Sequence, residues 1–294
     1  MNNLLKFQLY ATAAVVAISM IEAVVLARRN RGFDWRETRL SLLDLVGRRI
    51  VQLIPLSLAG PVMSWAWAHR IHTMPLDGPA AFALLFIGQE FCYYWYHRAA
   101  HRMRFFWATH QVHHSPNQLT LSTSYRLGWT GKLTGTGMFF APLVWLGFPP
   151  GAVFATLSIN LLYQFWLHTT WIPKLGWLEY VFNTPSAHRV HHASNLSYLD
   201  RNYGGVLIIF DRLFGTYASE RDEEPCVYGL VKPLREASLW RIEFHEWRSL
   251  GRDMMAARNP VTAVKLLLMP PGWAPDGQGT RTEDLRAAAT PQEG

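Results

Sequence analysis

The chain has 294 residues, 50 % hydrophobic, 14 % aromatic and only 17 % charged, with a formal net charge of +7. That balance is too apolar for an ordinary soluble domain, while a mean hydropathy of +0.02 excludes apolar sequence throughout. Cys92 and Cys226 are the only cysteines, which excludes a disulfide framework and a thiolate metal cluster, and the arginines form no stripe on a nucleic-acid recognition module, so nucleic acid is not an expected partner.

From Tyr10 to Ala27, eighteen residues carry a single charge, Glu22, just enough to cross a hydrocarbon core of about 30 Å as a helix. The basic residues follow this stretch rather than precede it, which argues against a cleaved signal peptide. Residues 28 to 49 hold seven arginines (Arg28, Arg29, Arg31, Arg36, Arg39, Arg48 and Arg49), and the positive-inside rule makes this loop cytoplasmic. Uncharged Val51 to Ala68 reads as a second span and Pro79 to Tyr96 as a third, returning His97 and His101 to the cytoplasmic face. Between Lys132 and Lys174 lie 41 residues without Lys, Arg, Asp or Glu. They make about 62 Å of helix, twice a bilayer, so a hairpin is expected from Leu133 to Trp171, turning at Pro149, Pro150 and Gly151. After Trp171 the sequence becomes polar, aromatic and dotted with glycine, as in a folded cytosolic lobe. Asn259 to Trp273 suits a helix lying on the membrane, and the last twenty or so residues suit a loose tail.

Histidine sets this chain apart. It supplies 12 of 294 residues, about 4 %, so two further imidazoles at fixed offsets should follow a given histidine about 0.2 % of the time, yet HxxHH occurs twice and HxxxH once. Positions three and four apart share one helical face. His97 and His101, then His110, His113 and His114, then His188, His191 and His192 can therefore each present several nitrogens to one ion. Eight imidazoles exceed one coordination sphere and point to two metals with open positions for oxygen or water; His168, at the end of an apolar helix, is a further candidate ligand. Glu90 lies on the face of Tyr94, His97 and His101, where it can accept the outer N–H of a metal-bound imidazole or pair with Arg98; Asp200, Asn202 and Asp211 are offered for the later cluster. Phe91, Trp95, Phe105, Phe106, Trp107, Phe165 and Trp166 are candidate pocket linings, and His69, His72 and His245 read as surface or packing residues.

These residues resemble the fatty acid hydroxylase superfamily, integral-membrane oxygenases that include sterol desaturases and the alkylglycerol monooxygenase branch. The resemblance rests on YYWYHRAAH (93 to 101), WATHQVHHS (107 to 115), FWLHT (165 to 169), NTPSAHRVHHASN (183 to 195) and NYGGVLIIFDRLFGTY (202 to 217). It implies a di-iron centre held by His97, His101, His110, His113, His114, His188, His191 and His192, with His168 additional. It also implies O2, electrons from an external redox partner, and a lipid substrate such as a sterol, fatty acyl chain, ether lipid or carotenoid that is hydroxylated or desaturated. Members with a further mid-chain HxxxH differ from this sequence, which has Ile172 four residues after His168.

The expected architecture is all-α and integral to the membrane, multi-pass, with four to five membrane helices (three single spans and one hairpin, re-entrant or full) and a cytosolic His-rich helical lobe. The expected organisation is 1–76 for the N-terminal spans and basic loop, 77–235 for the catalytic domain and 236–294 for an interfacial helix and tail. The active site should face the cytosol from a bacterial inner membrane or an endoplasmic reticulum membrane. A zinc-dependent membrane hydrolase and a non-enzymatic metal-binding membrane protein are the alternative readings. The first usually uses three protein ligands, and the second should carry ionisable groups at mid-membrane depth.

Overall fold

The computed structural model describes residues 3–29, 32–234 and 238–289; Arg31, the boundary expected between 235 and 236, and residues 290–294 lie outside them. The described chain is helical, with no strand and three isolated bridges, Phe182–Leu207, Ala193–Tyr228 and Arg221–Glu224. In chain order the helices are α1 (Asn3–Arg29), α2 (Trp35–Val51), α3 (Ala59–Ala68), α4 (Pro79–Arg102) and α5 (Arg104–His114), then α6 (Gly131–Thr134), α7 (Ala141–Trp145), α8 (Pro150–Phe165), α9 (Pro185–His192) and α10 (Ile209–Leu213). Three C-terminal helices complete the chain, α11 (Leu239–Met255), α12 (Pro260–Leu268) and α13 (Thr282–Ala289).

Among the described residues α1 is the helix long and apolar enough to cross a membrane, over Leu9–Arg29. The stretch Val51 to Ala68 departs from expectation, since α2 ends at Val51 and α3 has only 10 residues, about 15 Å. Pro55 sits in the break, where it has no N–H to continue the ladder. Lys132 Nζ satisfies the exposed end by donating to the carbonyls of Gln52 (3.1 Å) and Ile54 (2.6 Å). The apolar hairpin does turn ahead of Pro150, but its first limb is fragmented into α6, a 3-10 turn over Thr136–Phe140, and α7. Gly135 takes a left-handed φ of 72° at that break. The second limb, α8, is one helix of 16 residues, about 24 Å. The third expected span falls within α4, a continuous helix of 24 residues that carries Glu90, Tyr94, His97 and His101 on its buried face and does not itself reach the length and apolarity that α1 has.

The arginine-rich segment is a helix rather than a loop. α2 buries Glu37, Thr38, Ser41 and Asp44 with Leu40 and Leu45, and leaves Leu43, Val46 and Ile50 outward. The polar face turns inward because residues 117–129, which connect α5 to α6, make few ladder bonds and need acceptors. Glu37 takes Asn117 Nδ2 (3.0 Å) and the Arg126 guanidinium (2.6 Å), Asp44 takes Leu127 N–H (3.0 Å), and Glu243 of α11 takes Trp129 N–H (3.0 Å). From α1, Glu22 accepts from Leu121 N–H (2.6 Å) and from Thr169 Oγ1 (2.8 Å), so the one charge between Tyr10 and Ala27 is spent on an internal joint. The main apolar core joins α3, α4, α7 and α8 through Met63, Leu85, Leu143 and Val153, with Phe140 and Phe148 from the connecting turns. Outward-facing Ile18, Ile21, Trp65, Phe82, Leu84, Ile87, Phe91, Ile159 and Leu162 expose an apolar surface on α1, α3, α4 and α8, of the kind that suits hydrocarbon rather than water. Within the stretch expected to be a loose tail, Thr282–Ala289 forms α13, and its polar side chains are bonded to the body.

Candidate metal centre

Three helices and one loop deliver the imidazoles. α4 carries His97 and His101 one turn apart, α5 carries His110, His113 and His114, and α9 carries His188, His191 and His192. Thr184 caps α9 by accepting from Ala187 N–H (3.4 Å), and Pro185 occupies the first turn, so the third histidine motif begins at a well-defined helix start. His168 follows α8, with its Nδ1 bonded to the Gln164 carbonyl at 2.7 Å.

Nine histidines converge into two sets, His97, His101, His110, His114 and His191 in one and His113, His168, His188 and His192 in the other. Within each set one ring nitrogen per residue lies within 4.8 Å of all the others. Adjacent histidines therefore part company: His113 and His114 of one motif serve different sets, as do His191 and His192, so each HxxHH bridges the two sites.

The outer nitrogens fix the ring protons. His97 Nδ1 lies 2.8 Å from the Tyr203 carbonyl, His113 Nδ1 3.1 Å from that of Arg126, and His191 Nδ1 2.9 Å from that of Arg201. A carbonyl only accepts, so these rings and His168 hold their protons on Nδ1 and turn Nε2 inward as a bare lone pair. Inside the sets, Nε2 faces Nε2 at 3.2 Å between His113 and His168 and at 3.0 Å between His97 and His110. The first pair has no proton to share, and two lone pairs at that separation repel. His101 Nε2 and His191 Nε2 are buried without any partner. Burial, with neighbouring imidazoles adding to it, holds His110, His114, His188, His191 and His192 well below the usual histidine range, and burial brings His113 down to about 4, so protonation does not relieve the repulsion near neutral pH. A cation in each set does relieve it, and the all-nitrogen donor set fits a first-row transition metal.

The acidic candidates occupy different positions from those expected. Glu90 touches no histidine: its carboxylate accepts from Val206 N–H (2.7 Å), Leu207 N–H (2.9 Å) and Asn160 Nδ2 (2.5 Å). It anchors the loop whose Tyr203 carbonyl orients His97. Asp211 holds the same loop through Tyr203 N–H (2.8 Å) and Gly204 N–H (2.7 Å). Asn202, at a left-handed φ of 57°, donates to the Ala187 and Ala218 carbonyls (2.9 and 2.7 Å) and so ties this loop to α9. Asp200 alone faces a ring, His101, with Oδ1 3.7 Å from Nδ1. Burial opposes its charge, yet His101, Thr282 and Arg102 bring it down to about 2. Sequence reasoning missed the main orienting groups, the carbonyls of Tyr203, Arg126, Arg201 and Gln164, because any residue supplies a carbonyl.

Two cavities reach the sets. One of about 320 Å³ is walled by Tyr93, Tyr96, Phe106, Phe140, Leu157 and Leu161 and ends at His110, His113 and His168. The other, about 1280 Å³, opens among α5, α11 and the C-terminal segment and meets His101, His114, His191 and His192 beside Trp107 and His245. Of the expected linings, Phe106 and Trp107 border these cavities, whereas Phe91 and Trp95 face outward. His245 stands in a cavity wall and belongs to neither set.

Residues 82–216 match the fatty acid hydroxylase family model. Over 207 residues the chain is 41 % identical to human alkylglycerol monooxygenase, covering 70 % of this chain and 46 % of that protein. It is 38 % identical over 229 residues to the zebrafish (Danio rerio) alkylglycerol monooxygenase, 77 % of this chain and 50 % of that one. Against the ornithine lipid hydroxylase of Rhizobium tropici it is 27 % identical over 225 residues, 73 % and 68 % of the two chains. The chain thus spans about half the length of the alkylglycerol monooxygenases it matches. No solved structure matches it significantly.

Proposed function

The chain belongs to the fatty acid hydroxylase superfamily through residues 82–216, and from that premise we propose that it is a membrane-bound monooxygenase with two iron ions that hydroxylates a C–H bond of a lipid, an ether lipid first among the candidates. The observation that carries the reading is the pair of imidazole sets in which His97, His113, His168 and His191 turn bare nitrogens inward and the facing His113 and His168 have no proton to share. His97, His101, His110, His114 and His191 would hold one ion and His113, His168, His188 and His192 the other. Bound there, iron supplies the activation of dioxygen and the oxidation of an unactivated C–H bond, with electrons from an external donor.

The chain's own residues do the rest. Backbone carbonyls keep the ring protons of His97, His113, His168 and His191 on the outer nitrogen, which holds the inner one ready as a donor. The narrow cavity, lined largely by aromatic and aliphatic side chains with Arg48, Gln52 and Lys132 among the others, accepts an alkyl chain end-on toward His110, His113 and His168. Its walls come from α4, α5 and α8, and α4 and α8 also carry outward apolar side chains, so a lipid tail can enter from the bilayer. The wide cavity, bordered by Arg104, Asp200 and Arg252, suits a polar headgroup or the electron donor, with the site facing the cytosol. Nine imidazoles in two sets exceed what a zinc hydrolase needs, which disfavours that alternative.

Substrate and reaction are tested together by supplying alkylglycerol ether lipid and diacyl lipid to membranes containing the protein under 16O2 and 18O2, followed by mass spectrometry. The expected result is a shift of the ether lipid, or a product released from it, by about +16 Da that becomes about +18 Da under 18O2, the mass of one oxygen atom delivered by the cofactor. Loss of about 2 Da would replace hydroxylation by desaturation, and no change in any lipid class would overturn the assignment.

A further inference from the structure

The helix α13 lies 66 positions beyond the last residue of the family match, in a stretch whose composition suggests a tail, yet it ends the chain of contacts that begins at His101. Asp200 is the pivot. Its backbone sits at a left-handed φ of 57°, unusual for a residue with a side chain, and its carboxylate is largely buried, at 16 % exposure. One oxygen, Oδ1, faces His101 Nδ1 at 3.7 Å. The other, Oδ2, receives the Thr282 hydroxyl at 2.6 Å and the Arg102 guanidinium at 2.7 Å. The same Arg102 reaches Glu283 at 2.5 Å, and Arg286 one turn further donates to the carbonyls of Leu196 (3.2 Å) and Leu199 (2.7 Å). α13 thereby grips both ends of the 196–200 segment that follows His192.

A carboxylate with one oxygen occupied by two donors has one rotational setting left, and that setting aims Oδ1 at His101. The inner nitrogen of His101 is buried and without a partner, so among the described residues the outer contact with Asp200 is the polar one that directs the ring. We propose that Thr282 is a positioning residue of the metal centre: through Asp200 it sets the ring of His101 and thereby the affinity of the five-histidine set for its ion. This rests on the metal reading above and adds the C-terminal helix to it. A helix that served only to cover the molecule would need apolar contact with the body. α13 has no fully buried side chain and is held by hydroxyl, carboxylate and guanidinium groups directed at Asp200 and its segment.

The test uses the purified full chain, loaded with iron and titrated with a chelator, with limited proteolysis reporting whether α13 stays docked. Asp200→Asn should weaken retention of one of the two ions by about 10- to 100-fold, the range for partners of metal-bound imidazoles. Thr282→Val should weaken the same ion in the same direction, Thr282→Ser should restore it, and adding Thr282→Val to Asp200→Asn should change retention by less than about twofold, because the two act through one contact. Wild-type retention in Thr282→Val with α13 docked, or an undiminished loss on top of Asp200→Asn, would overturn the proposal. If the wild-type chain itself retains no metal, the reading of the whole site fails, an outcome separable from either of these.

Discussion

Glu90 shows how the site is organised at the scale of a single residue. An acid on the helical face of His97 and His101 looks like a direct partner for a metal-bound ring, and instead it gathers two backbone N–H groups and Asn160. The effect on the histidine is indirect: Glu90 and Asp211 fix the loop, the loop places the Tyr203 carbonyl, and that carbonyl fixes the proton of His97. Glu90→Gln sets an amide N–H against donors on one side or the other, since Asn160 Oδ1 is already taken by Gln164 Nε2 at 2.6 Å. The substitution should cost about 1–3 kcal/mol, the usual penalty of an unsatisfied buried group, seen as a lowered Tm in detergent together with reduced metal retention. A variant with unchanged melting would show that the loop does not depend on this anchor. That these imidazoles gather at one site was legible in the sequence because imidazole is scarce and its spacing is helical. Their division into five and four was not, because it depends on how three helices cross, and neighbours such as His113 and His114 fall on opposite sides.

Between elements, carboxylates make the joints. α1, α2 and α11 each send acids to the connection between α5 and α6, and its Arg126 carbonyl in turn orients His113. At the joint of α2 with α11, Asp44 and Glu243 come together, and each has one buried oxygen without another partner. Burial first, and the Asp44 carboxylate second, push Glu243 well above the ordinary carboxylic range. A group raised on folding contributes fully below its unfolded pKa, about 4.3, and its contribution is lost as pH rises toward the raised value. Stability should therefore decline on going from about pH 5 to alkaline pH, and Glu243→Gln should remove that slope, gaining on the wild type at pH 8–9 and not at pH 4. Parallel melting curves for the two proteins across this range would contradict the shared-proton joint. Sequence patterning reports how much apolar length is present and not whether a helix runs through it. That is why Val51 to Ala68 and the first limb of the hairpin break at Pro55 and Gly135, while α4, without an internal proline or a left-handed glycine, runs unbroken from the apolar surface to the histidines.

Taken whole, the molecule places its two histidine sets beneath an apolar surface and beside a polar cavity. α1, α3, α4 and α8 present hydrophobic side chains outward, and the narrow cavity, walled in part by α4 and α8, reaches His110 of the first set and His113 and His168 of the second. α11 and α13 border the wide cavity, which meets His101, His114 and His191 of the first set and His192 of the second. The two sets thus share both their motifs and their cavities. The measurement that bears most directly on this account is the metal content of the purified chain after anaerobic reconstitution with iron, compared with a His113→Ala, His188→Ala double variant. The account predicts about two ions per wild-type chain and about one in the variant, because the five-histidine set keeps all of its nitrogens. Well under one ion per wild-type chain, or an undiminished two in the variant, would contradict it.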